Sequence, residues 1–202
     1  MQINIDKKTG VFLVVILFLL GALFFVSTSK NENSGDGMDG HMGNMGHMGQ
    51  NKKYTGADVM FLQMMIPHHQ QAIDISNQAI TKSKDSELIA LAKKIAKDQA
   101  TEIVQMKSWL KDANASEDMG HSMHDMGGML SSDELSNLNS ATGSAFDKAW
   151  LEGMIGHHEG AIHMTNMIND AQNPAIKEFG NKIVKDQSAQ IDQMKSILAR
   201  IK

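Results

Sequence analysis

Two histidine pairs, His68-His69 and His157-His158, stand 89 residues apart in closely matched surroundings. Each pair is accompanied by a thioether, since Met65 lies three and four residues before the first pair and Met154 stands in the same relation to the second. On a helix that spacing puts a sulfur and an imidazole on one face. In the second copy His163 and Met167 add a further couple four residues apart, whereas Asp74 occupies the place of His163 in the first copy. Adjacent helical positions diverge by about 100°, so one histidine of each pair faces the helical interior and the other a neighbouring groove.

Two further stretches concentrate the same residue types without any apolar pattern. His41, Met42, Met45, His47 and Met48 sit among glycines, and His121, Met123, His124 and Met126 repeat the composition later in the chain. Methionine normally fills apolar cores, and that reading serves Met60, Met64, Met106 and Met194 as well as ligation does. It does not serve a glycine-rich tract, where an exposed thioether only invites oxidation. The chain has 17 methionines, 9 histidines and no cysteine. Thioether and imidazole are soft to borderline donors that favour copper(I), with silver(I) as an equally soft alternative. A copper(II) or nickel site built from imidazoles alone is the competing reading, and zinc is less well served by this donor set.

The elements that position these residues follow from a repeat. Asp58 to Ile73 returns as Asp147 to Ile162, and a second block, Ile95 to Ser108, returns as Ile183 to Ser196. Two matched blocks at nearly one offset indicate duplication. Each copy reads as two helices. Thr55 and its mate Ser144 are expected to cap the first, and Asp85 and Asn173 the second, with Pro174 at the favoured first helical position. Apolar residues of the second helices recur at helical spacing, and Ser131 with Glu134 can form a capping box for a short helix in the joint. The expected fold class is all-α: an N-terminal membrane-anchor helix, then an antiparallel four-helix bundle of two duplicated hairpins. The segments are 1–30, a Met/His-rich linker at 31–53, and a bundle at 54–202. Within the bundle the hairpins span 54–111 and 144–202, joined by 112–143.

Pro67 and Gly156 share one repeat position just before the histidines, and both weaken helices. The pattern predicts either a local kink opening space at the imidazoles or, at Pro67, the start of a shorter helix. Folding the hairpins about residues 83 and 171–172 sets Asp98 and Asp186 level with the histidines. Either carboxylate can then accept a ring N–H and fix the ligating tautomer, or simply belong to a solvated Lys-Asp face.

Lys7 and Lys8 precede an uncharged apolar run at 11–26, slightly short of the roughly 20 residues that span a bilayer. An uncleaved anchor is preferred to a cleaved signal peptide, because neither an Ala-x-Ala site nor a lipoprotein cysteine is present. The rest of the chain is expected outside the cytoplasm, membrane-anchored or, after cleavage, secreted. There, thioethers outlast thiolates as ligands. A formal charge of −4 gives no footprint for nucleic acid.

The stretches Met64 to Ile73 and Met154 to Ile162 resemble the two signature motifs of the CopM-like family of exported copper-binding proteins. The resemblance covers 55–202 and implies a ferritin-like four-helix bundle that contributes to copper resistance. It points to Met65, His68, His69, Met154, His157, His158, His163 and Met167 as ligands. The expected function is noncatalytic copper(I) sequestration, storage or transfer, the last to a copper-transfer protein partner. The alternatives are a metal-dependent redox enzyme and a noncovalent haem bundle. A di-iron oxidase is disfavoured because no Glu-x-x-His occurs. Covalent haem is disfavoured because no Cys-x-x-Cys-His occurs.

Overall fold

A capping box opens the first helix. The Thr55 hydroxyl accepts the Asp58 amide, and the Asp58 carboxylate accepts the Thr55 amide in return, satisfying two donors that the helix itself leaves bare. In the computed structural model, which describes residues 53–118 and 127–201, helix α1 then runs without a break from Gly56 to Lys82. Pro67 lies inside it, so it is not the start of a shorter helix. Asp85 caps α2 (Ser86–Asp112) by accepting the Glu87 and Leu88 amides. The expected Ser131–Glu134 box is formed at the start of α3 (Ser132–Ser140).

Helix α4 spans Gly143–Met164 and tightens into a 3₁₀ turn at Thr165–Ile168. Asn173 caps α5 (Pro174–Leu198), with Pro174 in its first turn. Ser144 does not play the capping role expected of it. The chain enters α4 two residues earlier than a Ser144 cap requires, through Gly143 at φ +58°, and the cap position falls to Thr142, which makes no side-chain bond. No strand occurs among the described residues.

α1 pairs with α2 and α4 with α5, and the two hairpins meet chiefly through α1 and α4. Their apolar side chains form two clusters. One combines Ile75 and Ala79 of α1 and Leu88 to Ile95 of α2 with Phe146, Trp150 and Met154 of α4 and Ile191 to Ile197 of α5. The other combines Phe61, Leu62 and Met65 with Ile103 to Leu110, Met164, Ile176 and Ile183. Each cluster therefore joins the turn end of one hairpin to the open end of the other. Between them, on all four long helices, lies a stretch of buried polar side chains.

Among the described residues no helix is long and apolar enough to cross a membrane. The apolar run at 11–26, and with it the expected anchor, lies outside the described residues, as do His41, Met42, Met45, His47, Met48, His121, Met123, His124 and Met126.

Candidate metal centre

The buried polar stretch is made of repeat mates. His68 and His69 come from α1, His157 and His158 from α4, Gln99 and Glu102 from α2, Gln187 and Gln190 from α5. All four histidines have no exposed surface. His68 and His157 stack with ring centroids 3.7 Å apart and tilted by 36°, and the His158 ring lies 6.2 Å from that of His157.

Hydrogen bonds fix most of the tautomers. His69 Nε2 donates to Glu102 Oε2 at 2.9 Å, His158 Nε2 to Gln190 Oε1 at 2.6 Å, and His157 Nε2 to the His68 carbonyl at 2.9 Å. Because each acceptor is an oxygen with no proton to give, the proton sits on Nε2 and the neutral ring keeps its lone pair on Nδ1. Those three Nδ1 atoms have no protein partner, and neither ring nitrogen of His68 has one. Orphaned buried polar atoms are rare and costly, so this concentration of bare imidazole nitrogen calls for a ligand.

Burial also keeps the rings of His68, His157 and His158 neutral. Desolvation first, then the neighbouring imidazoles His69 and His158, push His68 from its ordinary 6.5 to about 3, against a small opposing effect of the Gly127 backbone. Desolvation lowers His158 to about 4, with the Gln190 bond pulling the other way. His157 is held well below its ordinary value by burial and then by His68 and His158. Neutral imidazole is the metal-binding form, so the interior holds the rings ready at neutral pH.

The two halves differ in charge. Burial favours the protonated Glu102 carboxyl, yet the His69 and Lys182 bonds together hold it below its ordinary value. Lys182 Nζ reaches Glu102 Oε1 at 2.8 Å and Asp186 Oδ2 at 2.8 Å. Gln190, the mate of Glu102, offers His158 an uncharged acceptor. The carboxylates expected to orient the histidines sit one helical turn away: Asp98 pairs with Lys94, and Asp186 with Lys182. Glu102 and Gln190 do that work instead.

The remaining expected ligands are dispersed. Met65 and Met154 are fully buried but belong to opposite apolar clusters, the packing that their size and softness suit. His163 is exposed in the last turn of α4, and Met167 is half-buried in the 3₁₀ turn. Among the described residues no three His, Asp or Glu side chains converge as a ready cage. The donor set suits a soft ion of low coordination number better than one needing several hard oxygen ligands.

The end of the Met/His joint is fastened beside this layer. Gly128 takes φ +88° and packs backbone-to-backbone on α4, and a Cβ added at Gly160 would lie 2.2 Å from the Gly127 carbonyl oxygen. Gln71, the repeat mate of Gly160, grips Leu130 with both ends of its amide, at 2.7 and 3.0 Å.

A family model described as a domain of unknown function, DUF305, matches residues 58–198. The chain belongs to that family. Among solved structures, a DUF305 fragment from Deinococcus radiodurans is 30% identical, with a TM-score of 0.68 over 73% of this chain and 98% of that one. CopM in its Cu(II)-bound form is 33% identical, with a TM-score of 0.59 over 70% of this chain and 95% of that chain. CopM is also known in Cu(I)- and Ag-bound forms. The uncharacterized protein L153 of Acanthamoeba polyphaga mimivirus is 42% identical over 53 residues, and the match spans 35% of its length. Metal binding is thus a property of CopM, a relative that shares the fold over most of the chain.

Proposed function

We propose that this protein binds a soft metal ion, copper(I) or silver(I), through imidazole and thioether donors, and that it does so outside the cytoplasm as a sequestering, storing or transferring protein rather than an enzyme. The observation that carries the reading is the set of four buried histidines whose Nδ1 atoms have no protein partner. A soft ion is the partner that neutral imidazole nitrogen accepts in a low-dielectric interior. The copper(I) and silver complexes of CopM support the same ion class, while its copper(II) form corresponds to the competing ion. On this reading, His41, Met42, Met45, His47, Met48, His121, Met123, His124 and Met126 collect metal, His163 and Met167 form an accessory surface pair, and a transfer protein takes the ion onward. The apolar run at 11–26 keeps the protein at the membrane.

The same geometry disfavours haem, since rings stacked 3.7 Å apart leave no slot for a planar macrocycle between them. It offers little to di-iron chemistry, because Glu102 is the one carboxylate hydrogen-bonded to a histidine there among the described residues.

The test is a copper(I) titration under reducing conditions against a competing chelator. The protein is compared with a variant having His68, His69, His157 and His158 changed to alanine, and helicity is checked by circular dichroism. Saturable uptake that falls in the folded variant supports the reading. Uptake untouched by the four changes moves ligation to the Met/His tracts, and no competitive uptake at all defeats it.

A further inference from the structure

Beyond the histidines, the polar layer continues outward between α2 and α5. Gln99 and Gln187 are 2% and 3% exposed, and in both the amide oxygen and the amide nitrogen lack a protein partner. They line a small, partly open space of about 10 Å³, together with Glu102, Gln190, Asp98, Asp186 and Ile183. That is about the room one water-sized occupant needs. Asp98, Glu102 and Asp186 also line an open groove between the same helices, in the company of Glu178, Lys182 and Lys185. At the inner end, Glu102 and Gln190 hold the ring N–H groups of His69 and His158. Groove and space thus share Asp98, Glu102 and Asp186, and two residues that line the space, Glu102 and Gln190, are hydrogen-bonded to the histidine rings.

The charges between α2 and α5 suit a cation. Asp98 is engaged by Lys94, and Glu102 and Asp186 share the single ammonium of Lys182. That lysine side chain is 52% exposed, so its head can return to water once another cation takes its place beside the buried Glu102 carboxylate. Its departure would leave two carboxylates and two unpartnered amides facing the space.

We propose that the cleft between α2 and α5 is a cation vestibule: a cation displaces the Lys182 ammonium from Glu102 and Asp186, sheds water to the two carboxylates and the Gln99 and Gln187 amide oxygens, and passes from there to the histidine rings. The last step rests on the proposed function; the vestibule itself does not. Acidic walls in a low-dielectric cleft concentrate cations and speed their capture, and oxygen and amide groups that replace part of a hydration shell lower the cost of shedding it.

The probe is aquated silver(I), which needs no reductant. Its association and dissociation are followed by stopped flow with the whole protein, with the Gln99→Leu/Gln187→Leu double variant, and with Lys182→Met. In parallel, exchange of the His69 and His158 ring N–H with water is measured by ¹⁵N NMR in the metal-free proteins, and melting temperatures confirm folding. Filling the space with leucine is expected to slow silver association about tenfold or more. Dissociation should slow with it, since a blocked route acts in both directions, and ring N–H exchange should slow too. Lys182→Met is expected to accelerate association. Unchanged association in both variants overturns the proposal, as does a fall in association with dissociation unchanged, which would mark a lost ligand rather than a closed route. If the unaltered protein takes no silver at its histidines, the proposed function is what fails. Ring N–H exchange then judges the vestibule alone: slowing in the double variant supports it, and no change overturns it.

Discussion

The first hairpin holds His69 with a carboxylate, and the second holds the equivalent His158 with an amide. Nearly everything else in the layer is matched: His68 with His157, His69 with His158, Gln99 with Gln187. Glu102 against Gln190 breaks the symmetry, and it brings Lys182 with it. A pair of buried carboxylates would need a second cation or a retained proton, because desolvation raises a carboxyl whose charge is unpaired. One Glu and one Gln give both rings an acceptor while leaving a single buried charge to neutralise. The arrangement makes the two halves alike in geometry and unequal in electrostatics.

Acid breaks both halves at once and has the largest expected effect. Unfolded histidine titrates near 6.5, whereas folded His68 and His158 titrate at about 3 and about 4. Below 6.5 the unfolded chain takes up protons that the folded rings refuse, so stability present above that pH is lost as pH falls toward the folded values. The loss is about 1.4 kcal/mol per pH unit for each ring, with His157 adding in the same direction. Urea unfolding between pH 7 and 4.5 should show the midpoint dropping steeply below 6.5. A flat profile would mean that the rings are charged or solvated in the folded state.

Next in size is the contrast between the acceptors. Glu102→Ala leaves the His69 N–H unpaired in the interior and removes one of the two carboxylates on Lys182, at a cost of about 2–4 kcal/mol. Gln190→Ala leaves only a neutral donor unpaired and should cost about 1–2 kcal/mol. Glu102→Gln, which copies the second half into the first, should fall below both. Equal losses for the two alanine variants in thermal or urea unfolding would show that the charge at Glu102 carries no weight.

How far this layer was legible in the sequence depends on what the repeat could and could not specify. The all-helical class, three of the four cap residues and the short helix after Ser131 follow from local chemistry, and local chemistry decides them. The pairing of histidine with histidine follows from one offset of 89 residues. The orienting residues do not follow, because they depend on the register between helices. α1 ends at Lys82 and α2 opens at Ser86, so the hairpin folds about a point later than residue 83: Asp98, expected level with His68, pairs with Lys94, and Glu102 holds His69 instead. The miss is one helical turn, and positions four apart share a face. The face was readable and the residue was not. Gln99 and Gln187 lay inside the repeated block, but an amide in a helix gives no sign of burial until its neighbours are placed. Met65 and Met154 misled in the opposite sense: sequence spacing sets them beside the histidines, while packing sends them to opposite apolar clusters.

The joint gives a third comparison. It rests on a glycine in one copy and is gripped by a glutamine in the other. Gly160→Ala would gain up to about 1 kcal/mol of helix propensity. However, its methyl group would meet the Gly127 backbone at 2.2 Å, which no rotamer change can relieve. Overpacking of this kind costs about 1–3 kcal/mol, so a net destabilisation is expected, with faster amide exchange at Leu130 as the joint lifts. Gln71→Ala should speed exchange at Leu130 as well, without the backbone clash. A Gly160→Ala protein as stable as the original would mean that the close approach is not maintained in solution.

The smallest effect separates the two first helices at their N-termini. Thr55 and Ser144 are repeat mates with similar hydroxyls, yet only Thr55 stands at a cap position and accepts an amide, that of Asp58. Losing such a cap costs about 1 kcal/mol, so Thr55→Ala should lower stability by that amount, while Ser144→Ala, inside α4 and exposed, should stay within about 0.5 kcal/mol of zero. Propensity works the other way: alanine is the better helix former at either position, and only a lost hydrogen bond can make Thr55→Ala the worse of the two. Matched losses in thermal unfolding would mean that α4 begins two residues later than Gly143, at Ala145, with Ser144 capping it as Thr55 caps α1. The two hairpins would then be alike at their N-termini and would differ chiefly at Glu102 and Gln190.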